Sequence, residues 1–213
     1  MNRLTARRAA SGGAVWIGSA TRALARTSAV SAGLALAFAA ALPAQAATVT
    51  EAQWLSDVAA VTGPAQTYID GRVAANTSGA KLAIVLDIDN TSLETYFEGA
   101  GTSTPATPPV LALAQDAHAK GVSVFFVSAR SNLFNAITKS NLTSVGYTVD
   151  GLYARTVAQL LTESVADFKT SSRKTIEANG YDIVANIGNN TTDLTGGYAD
   201  TTYKLPDYDG LLD

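Results

Sequence analysis

A short apolar run that ends in two aspartates, KLAIVLDIDNTSLET at residues 81–95, constrains the fold of this chain more than any other segment. Residues 82–88 are too short and too continuously apolar for a strand with one face in solvent. They predict a strand buried on both faces, as in a parallel sheet. Asp87 and Asp89 close this strand. Two carboxylates so close at a buried edge repel each other, so the pKa of one of them is expected to rise.

Further apolar runs alternate with helical patterns along the rest of the chain. Strands are predicted at 122–129, 148–154, 182–188 and 201–207. Helices are predicted at 51–75 with an interruption at Gly63-Pro64, from Pro108 to Gly121 with Thr107 as cap, near 132–142 and near 166–178. This alternation predicts an α/β fold with right-handed crossovers, in which a three-layer, Rossmann-like parallel sheet is flanked by helices.

The first 46 residues have the pattern of a secretory signal peptide. Five arginines and no acidic residue lie in residues 1–26, followed by the apolar run SAVSAGLALAFAAAL and the small-residue site Ala44-Gln45-Ala46. The alternative is a retained anchor, because no charge falls between Arg26 and Glu51 and the window approaches the ~20 residues needed to span a bilayer. The many alanines and Pro43 favour cleavage. Residues 1–46 are therefore expected to be removed and residues 47–213 to be secreted, into the medium or cell envelope, without stable membrane association.

The composition of residues 47–213 excludes several classes of protein. Loss of residues 1–46 removes five of fifteen basic residues and none of eighteen acidic ones, which leaves a formal net charge of −8. This balance argues against binding to a nucleic-acid polymer, which requires a basic face. The absence of Cys excludes disulfides and thiol catalysis. The remaining length fits one ordinary domain.

Polar side chains follow the predicted strands where the carboxyl ends of a parallel sheet would meet, which is where such sheets bind ligands. They are Asp87 and Asp89 after the first strand, Ser128 at the end of the second, Asn189 and Asp193 after the fourth, and Lys169 in the first turn of the preceding helix. Oxygen ligands without Cys or His suit Mg²⁺ better than Zn²⁺. A nearby Lys and Ser indicate a bound phosphoryl group, whose charge needs cations and hydroxyl donors.

These motifs resemble those of the haloacid dehalogenase (HAD) superfamily. Its four-part signature is D-x-D-x-T after an apolar strand, Ser or Thr ending the next strand, a Lys, and Gly-Asp-x-x-x-Asp. The segments LDIDNTSLET, FFVSAR, FKTSSR, GYDIVANIGNNTTDL and YKLPD are similar to the secreted acid phosphatases of class B, subfamily IIIB, which have no large cap domain. The resemblance covers roughly residues 50–210.

The resemblance implies catalytic and substrate-binding roles for five of these residues. Asp87 would be the nucleophile that forms an aspartyl-phosphate. Asp89 would protonate the leaving alcohol and then activate water. Thr91 would hold the turn beside the substrate, Ser128 would donate to a phosphoryl oxygen, and Lys169 would neutralise charge on that group and on Asp87.

The basic residues near this predicted site leave alternatives open. Arg130 is a candidate for substrate binding or for pairing on the surface. Lys169 competes with Arg173 and Lys174 on the same helix, and those two are expected to be solvated, the usual fate of such side chains.

The resemblance also implies an Mg²⁺ site formed by Asp87, the backbone carbonyl of Asp89, and the fourth motif, Asn189 and Asp193. Here the chain departs from the family, which usually has Gly-Asp where this chain has Gly188-Asn189. An amide keeps a carbonyl oxygen but loses a formal charge, so metal binding is expected to be weaker by about 1–3 kcal/mol if a charged contact is lost.

The predicted function is an exported, Mg²⁺-dependent acid phosphatase that hydrolyses small phosphomonoesters through an aspartyl-phosphate. One alternative is a catalytically weakened binding or storage protein on the same scaffold, and another is a phosphotransferase. The connection from Ser92 to Thr107 is long enough only for a flap. Its aromatic residues, Tyr96 and Phe97, would stack on substrate or pack the flap on the body. The oligomeric state stays open.

Overall fold

The computed structural model describes residues 49–212, and its centre is a five-stranded, all-parallel sheet. The strands lie in the order β3-β2-β1-β4-β5. Their bounds are Lys81–Leu86 for β1, Ser123–Ser131 for β2, Gly151–Arg155 for β3, Tyr181–Gly188 for β4 and Thr202–Lys204 for β5. The predicted signal segment, residues 1–46, lies outside the described residues.

Helices cover both faces of the sheet, which confirms the predicted α/β class. They are α1 (Glu51–Ala75), α2 (Thr95–Glu98), α3 (Pro108–Ala119), α4 (Asn135–Ser144), α5 (Val157–Thr162), α6 (Val165–Ala178) and α7 (Thr191–Leu194), with a 3₁₀ turn at Asn132–Phe134. Between β1 and α3 the described chain forms only the short α2, so no large cap is built there. None of the helices within residues 49–212 is both long and apolar enough to cross a bilayer.

Strand β1 is apolar throughout because both of its faces are buried. Ile84 and Leu86 belong to the core cluster under α1 and α3, whereas Ala83 and Val85 belong to the cluster under α6, which includes Phe168. Successive side chains of a strand point to opposite faces, and fully burying one aliphatic side chain contributes about 1.5–3 kcal/mol. Burial on both faces therefore fixes the strand that leads into the two aspartates.

Several predicted boundaries are wrong. Helix α1 continues through Gly63-Pro64, where an interruption was predicted, because buried residues on both sides of Pro64, such as Val58 and Ile69, keep the helix packed on the core. Thr107 occupies the cap position of α3 but makes no side-chain cap hydrogen bond. Strand β3 begins at Gly151, not 148, and helices α5 and α7 were not predicted.

Candidate active site

A cavity of about 550 Å³ opens at the carboxyl edge of the sheet, where the polar residues were expected to meet. Five of the predicted site residues line it, namely Asp87, Asp89, Lys169, Asn189 and Asp193. Parallel strands bring these residues together because β1 and β4 are neighbours and end at the same edge. The volume is typical of small-molecule sites.

Lys169 lies between two buried carboxylates. Its Nζ donates to Asp87 Oδ1 at 2.6 Å and to Asp193 Oδ1. All three side chains are almost fully buried, and Lys169 itself is only 3 % exposed. Burial alone would lower the pKa of Lys169, but Asp87 and Asp193 together raise it above its usual value. The amine is therefore a fixed positive charge at the base of the cavity.

Burial is the main cause of the altered ionisation of Asp87. It raises the pKa of Asp87 to about 7, against the opposing effect of Lys169. The charge of Asp193 raises this pKa further, and that of Asp89 has the smallest effect. The expected rise in the pKa of one of the two aspartates is therefore seen at Asp87, with burial as its main cause and repulsion from Asp89, whose side chain is 40 % exposed, as the smallest.

This elevated pKa predicts that the Mg²⁺-free protein loses stability as the pH rises. The folded pKa of Asp87, about 7, exceeds its ordinary value of 3.8. The protonated carboxyl thus favours folding, fully below pH ~4, and this contribution disappears as the pH rises through ~7. In EDTA, the free energy of unfolding should fall more steeply between pH 5 and 8 for wild type than for Asp87→Asn, as measured by urea denaturation. Equal pH dependence in the two proteins would contradict the assignment.

The second aspartate is held by an arginine. Arg130 Nε and Nη2 donate to Asp89 Oδ2 and Oδ1 at 2.9 and 2.7 Å, a bidentate pair that fixes the carboxylate in one orientation. Of the two roles considered for Arg130, the structure shows pairing, with Asp89 as partner.

Ser128 is buried, and its Oγ accepts from the Arg130 N–H at 3.2 Å. Ser128 therefore supports the Arg130 backbone, while the adjacent Ala129 lines the cavity.

Thr91 joins the first and fourth motifs behind the cavity. Its hydroxyl donates to Asn189 Oδ1 at 3.0 Å and accepts from the Asn189 N–H at 3.0 Å. Thr91 is fully buried and does not line the cavity, and its hydroxyl supports the turn after β1, the role that the resemblance implies for it. Asn189 also donates from Nδ2 to the carbonyl oxygen of Leu212 at 3.1 Å.

The segment 189–197, which includes α7 and Asp193, packs closely against β4. A Cβ at position 188 would collide with the Asp193 side chain, so Gly188 is required there. Asp193 Oδ2 accepts from the Asn190 N–H at 2.8 Å, and its carbonyl oxygen accepts from Asn186 Nδ2 at 2.8 Å. Asn186 lies inside β4 and was not predicted from the sequence.

Arg173 is the clearest correction among the predicted side-chain environments. It was expected in solvent, yet it is 1 % exposed. Its guanidinium donates to three carbonyl oxygens of this segment, those of Asp193, Thr195 and Gly197. Arg173 thereby ties α6 to residues 193–197, at the end of α7 and beyond it. Lys174 is exposed, as expected.

The two aromatic residues of the flap have different environments. Phe97 packs on Trp54 of α1 with ring centroids 5.2 Å apart, and it meets the Tyr96 ring edge-on at 5.0 Å. Tyr96 is 46 % exposed and lines the cavity. Packing therefore accounts for Phe97, and Tyr96 is the one placed to meet a ligand.

A family model described as HAD superfamily, subfamily IIIB (acid phosphatase), matches residues 95–211. Among curated proteins, the stem 28 kDa glycoprotein of Glycine max is 32% identical over 107 residues, 49% of this chain and 42% of its own length. Vegetative storage protein 2 of Arabidopsis thaliana is 33% identical over 109 residues, 51% of this chain and 40% of its own length. The chain thus spans about two fifths of the length of these relatives.

The class C acid phosphatase from Bacillus anthracis has a similar fold. It superposes with a TM-score of 0.55 at 22% sequence identity, covering 69% of this chain and 67% of its own. A crystal structure of that enzyme with tungstate bound superposes with a TM-score of 0.54. At this identity the likeness concerns the fold alone.

Proposed function

The chain belongs to the acid phosphatases of HAD subfamily IIIB, and from this premise we propose that it is a Mg²⁺-dependent phosphomonoesterase that forms an aspartyl-phosphate on Asp87. The observation that carries the proposal is the Lys169 amine held between Asp87 and Asp193 at the base of the cavity. A fixed cation beside a buried carboxylate suits a site where that carboxylate approaches a phosphoryl group.

The proposed reaction has two balanced steps. A carboxylate oxygen of Asp87 bonds to phosphorus while the bond from phosphorus to the ester oxygen breaks, and Asp89 gives its proton to the leaving alcohol. Asp89 then takes a proton from water, whose oxygen attacks phosphorus and releases inorganic phosphate from Asp87. Asp89 lines the cavity with 40 % of its side chain exposed, and its exchange of the proton requires that one of its two bonds from Arg130 opens.

The oxygen donors around the cavity fit Mg²⁺. Asp87, Asp193 and the Asn189 amide all line it, and such oxygens are the ligands that this ion prefers. Within residues 49–212, no group of three or more His, Cys, Asp and Glu side chains is placed to hold a metal ion. The proposed Mg²⁺ ligands are two carboxylates, Asp87 and Asp193, together with the Asn189 amide oxygen and the Asp89 backbone carbonyl. Such a ligand set contains only two side chains of the four types. When bound, Mg²⁺ would stabilise charge on the phosphoryl oxygens.

Replacing Asn189 with aspartate is expected to lower the Mg²⁺ concentration needed for half-maximal activity. The new carboxylate would add a charged ligand worth about 1–3 kcal/mol, or roughly 5- to 150-fold in concentration. The measurement is a Mg²⁺ titration of p-nitrophenyl phosphate hydrolysis. Asn179→Asp, at the far end of α6, is the matched control. An unchanged requirement in Asn189→Asp would show that residue 189 is not a ligand.

The activity itself is tested by assaying p-nitrophenyl phosphate hydrolysis with Mg²⁺ and with EDTA. Hydrolysis that EDTA abolishes and Mg²⁺ restores supports the proposal, and hydrolysis indifferent to EDTA contradicts the Mg²⁺ dependence. Adding an alcohol acceptor and measuring its phosphate ester separates a hydrolase from a phosphotransferase.

A storage role is the second candidate, because two relatives at 32–33% identity are named as a stem glycoprotein and a vegetative storage protein. Asn189 in place of the usual aspartate favours this candidate, and Asp87 disfavours it. A protein that shows no hydrolysis at any pH or Mg²⁺ concentration would fit the storage role.

We also propose that the protein is exported and that residues 47–213 form the mature phosphatase domain, from the basic and apolar pattern of residues 1–46. N-terminal sequencing of protein recovered outside the cytoplasm is expected to begin at Ala47. Retention of residues 1–46 on the recovered protein would overturn this.

A further inference from the structure

Residues 207–212, here called the strap, reach the active-site cavity at Leu212. Leu212 lines the cavity, and its side chain is 1 % exposed and belongs to the main core cluster. Its carbonyl oxygen accepts two amide hydrogen bonds, from Asn90 Nδ2 at 2.6 Å and from Asn189 Nδ2 at 3.1 Å. The end of the strap is thus fastened to the first and fourth motifs at once.

The backbone of the strap is strained, so its position depends on these contacts. Tyr208, Asp209 and Gly210 have φ of 51°, 57° and 86°, all in the left-handed region. This conformation costs a residue other than glycine about 1–2 kcal/mol and persists only where surrounding contacts hold it. Besides the bonds to Leu212, the strap is held by the Tyr208 hydroxyl, which donates to Asp57 Oδ2 at 2.7 Å.

Asn90 connects the strap to the flap across the cavity. Its Oδ1 accepts from the Tyr96 N–H at 2.7 Å and from the Thr95 hydroxyl at 3.0 Å, while its Nδ2 holds Leu212. Tyr96 and Leu212 both line the cavity, so one side chain fixes the position of two of its walls.

The strap also gives a physical reason for an amide at position 189. Asn189 offers a donor to the Leu212 carbonyl and an acceptor to the Thr91 hydroxyl. An amide supplies both a donor and an acceptor, whereas a carboxylate has acceptors only.

We propose that Leu212 is a specificity-determining residue of this site, and that the anchored strap limits the size of the leaving group. The inference rests on the proposed phosphomonoesterase activity. With the walls at Leu212 and Tyr96 fixed through Asn90, esters of small or single-ring alcohols fit, and esters of two-ring alcohols meet the strap.

The test compares two esters in wild type and Leu212→Ala, namely glycerol 2-phosphate as the small probe and 4-methylumbelliferyl phosphate as the bulky probe. The ratio of kcat/KM for the bulky probe to that for the small probe is expected to rise about tenfold, since pocket contacts of a few carbons discriminate by that order. Differences in leaving-group reactivity cancel when this ratio is compared between variants. Leu211→Ala is the matched control, because the Leu211 side chain is 45 % exposed, and its ratio should match that of wild type.

A second variant covers the case in which Leu212→Ala folds poorly. Tyr208→Phe removes the hydrogen bond to Asp57 without loss of ring volume and should shift the ratio in the same direction by a smaller factor. Cleavage by chymotrypsin within the strap should be faster in both variants than in wild type.

Three results would overturn the inference. The first is a ratio in Leu212→Ala within about twofold of wild type, and the second is an equal shift in Leu211→Ala. The third is hydrolysis of neither ester by wild type, which would overturn the proposed function and the role of Leu212 in specificity with it. Faster strap cleavage with an unchanged ratio would show that the strap is anchored but does not select substrates, and the phosphatase assignment would stand.

Discussion

Replacing Asp87 with asparagine is expected to reduce phosphomonoester hydrolysis by at least about 10³-fold, because the amide cannot form the aspartyl-phosphate. The substitution keeps the size and shape of the side chain. It removes a buried carboxyl, and Lys169 retains Asp193 as its partner. The fold should therefore survive, and the loss should lie in kcat. Initial rates with p-nitrophenyl phosphate at saturating Mg²⁺ provide the measurement.

Asp182→Asn is the matched control for this experiment. Asp182 lies at the start of β4, at the opposite edge of the sheet, where it pairs with Arg72 at 2.9 Å. Its loss should leave hydrolysis within a few-fold of wild type. Thermal melting of both variants separates loss of chemistry from loss of fold. Activity in Asp87→Asn near that of wild type would show that the nucleophile is another group.

The position of the site could be predicted because it follows from strand order and strand direction. The apolar runs 82–88 and 182–188 predict buried parallel strands, and parallel strands end at one edge. The structure makes β1 and β4 neighbours and brings Asp87, Asp193 and Lys169 into contact there. Strand burial and strand direction can both be inferred from the apolar pattern without knowledge of side-chain packing, so the sequence was sufficient to locate the site.

The supporting contacts could not be predicted because their partners are backbone atoms far away in the sequence. Leu212 and Asn90 are 122 residues apart, and their contact depends on three left-handed residues that no apolar pattern indicates. The hydrogen bonds from Arg173 to the backbone of residues 193–197 could not be predicted for the same reason. One signal was present for Arg173, since it lies four residues after Lys169 and so shares its helix face. Arg173 was nevertheless predicted to be exposed, because most arginine side chains are.

The pair Lys169 and Lys174 gives the sharpest test of the electrostatics of the site. Lys169→Met removes the positive charge between Asp87 and Asp193 and keeps a side chain of similar length. Two buried carboxylates are then left without a cation, so the free energy of unfolding in EDTA should fall by about 3–5 kcal/mol at pH 8. Hydrolysis should fall by about 10²–10³-fold as well, because a fixed charge at the phosphoryl group is lost.

The pH dependence of this loss distinguishes electrostatics from packing. Removing the amine removes an influence that lowers the pKa of Asp87, so the carboxyl is protonated over a wider range. Protonation of Asp87 removes its repulsion with Asp193. The loss of stability in Lys169→Met should therefore be smaller at pH 5 than at pH 8. Lys174→Met, exposed on the same helix, should change stability by less than about 0.5 kcal/mol at either pH. A loss in Lys169→Met that is independent of pH would mean that the methylene chain, and not the charge, holds this part of the site together.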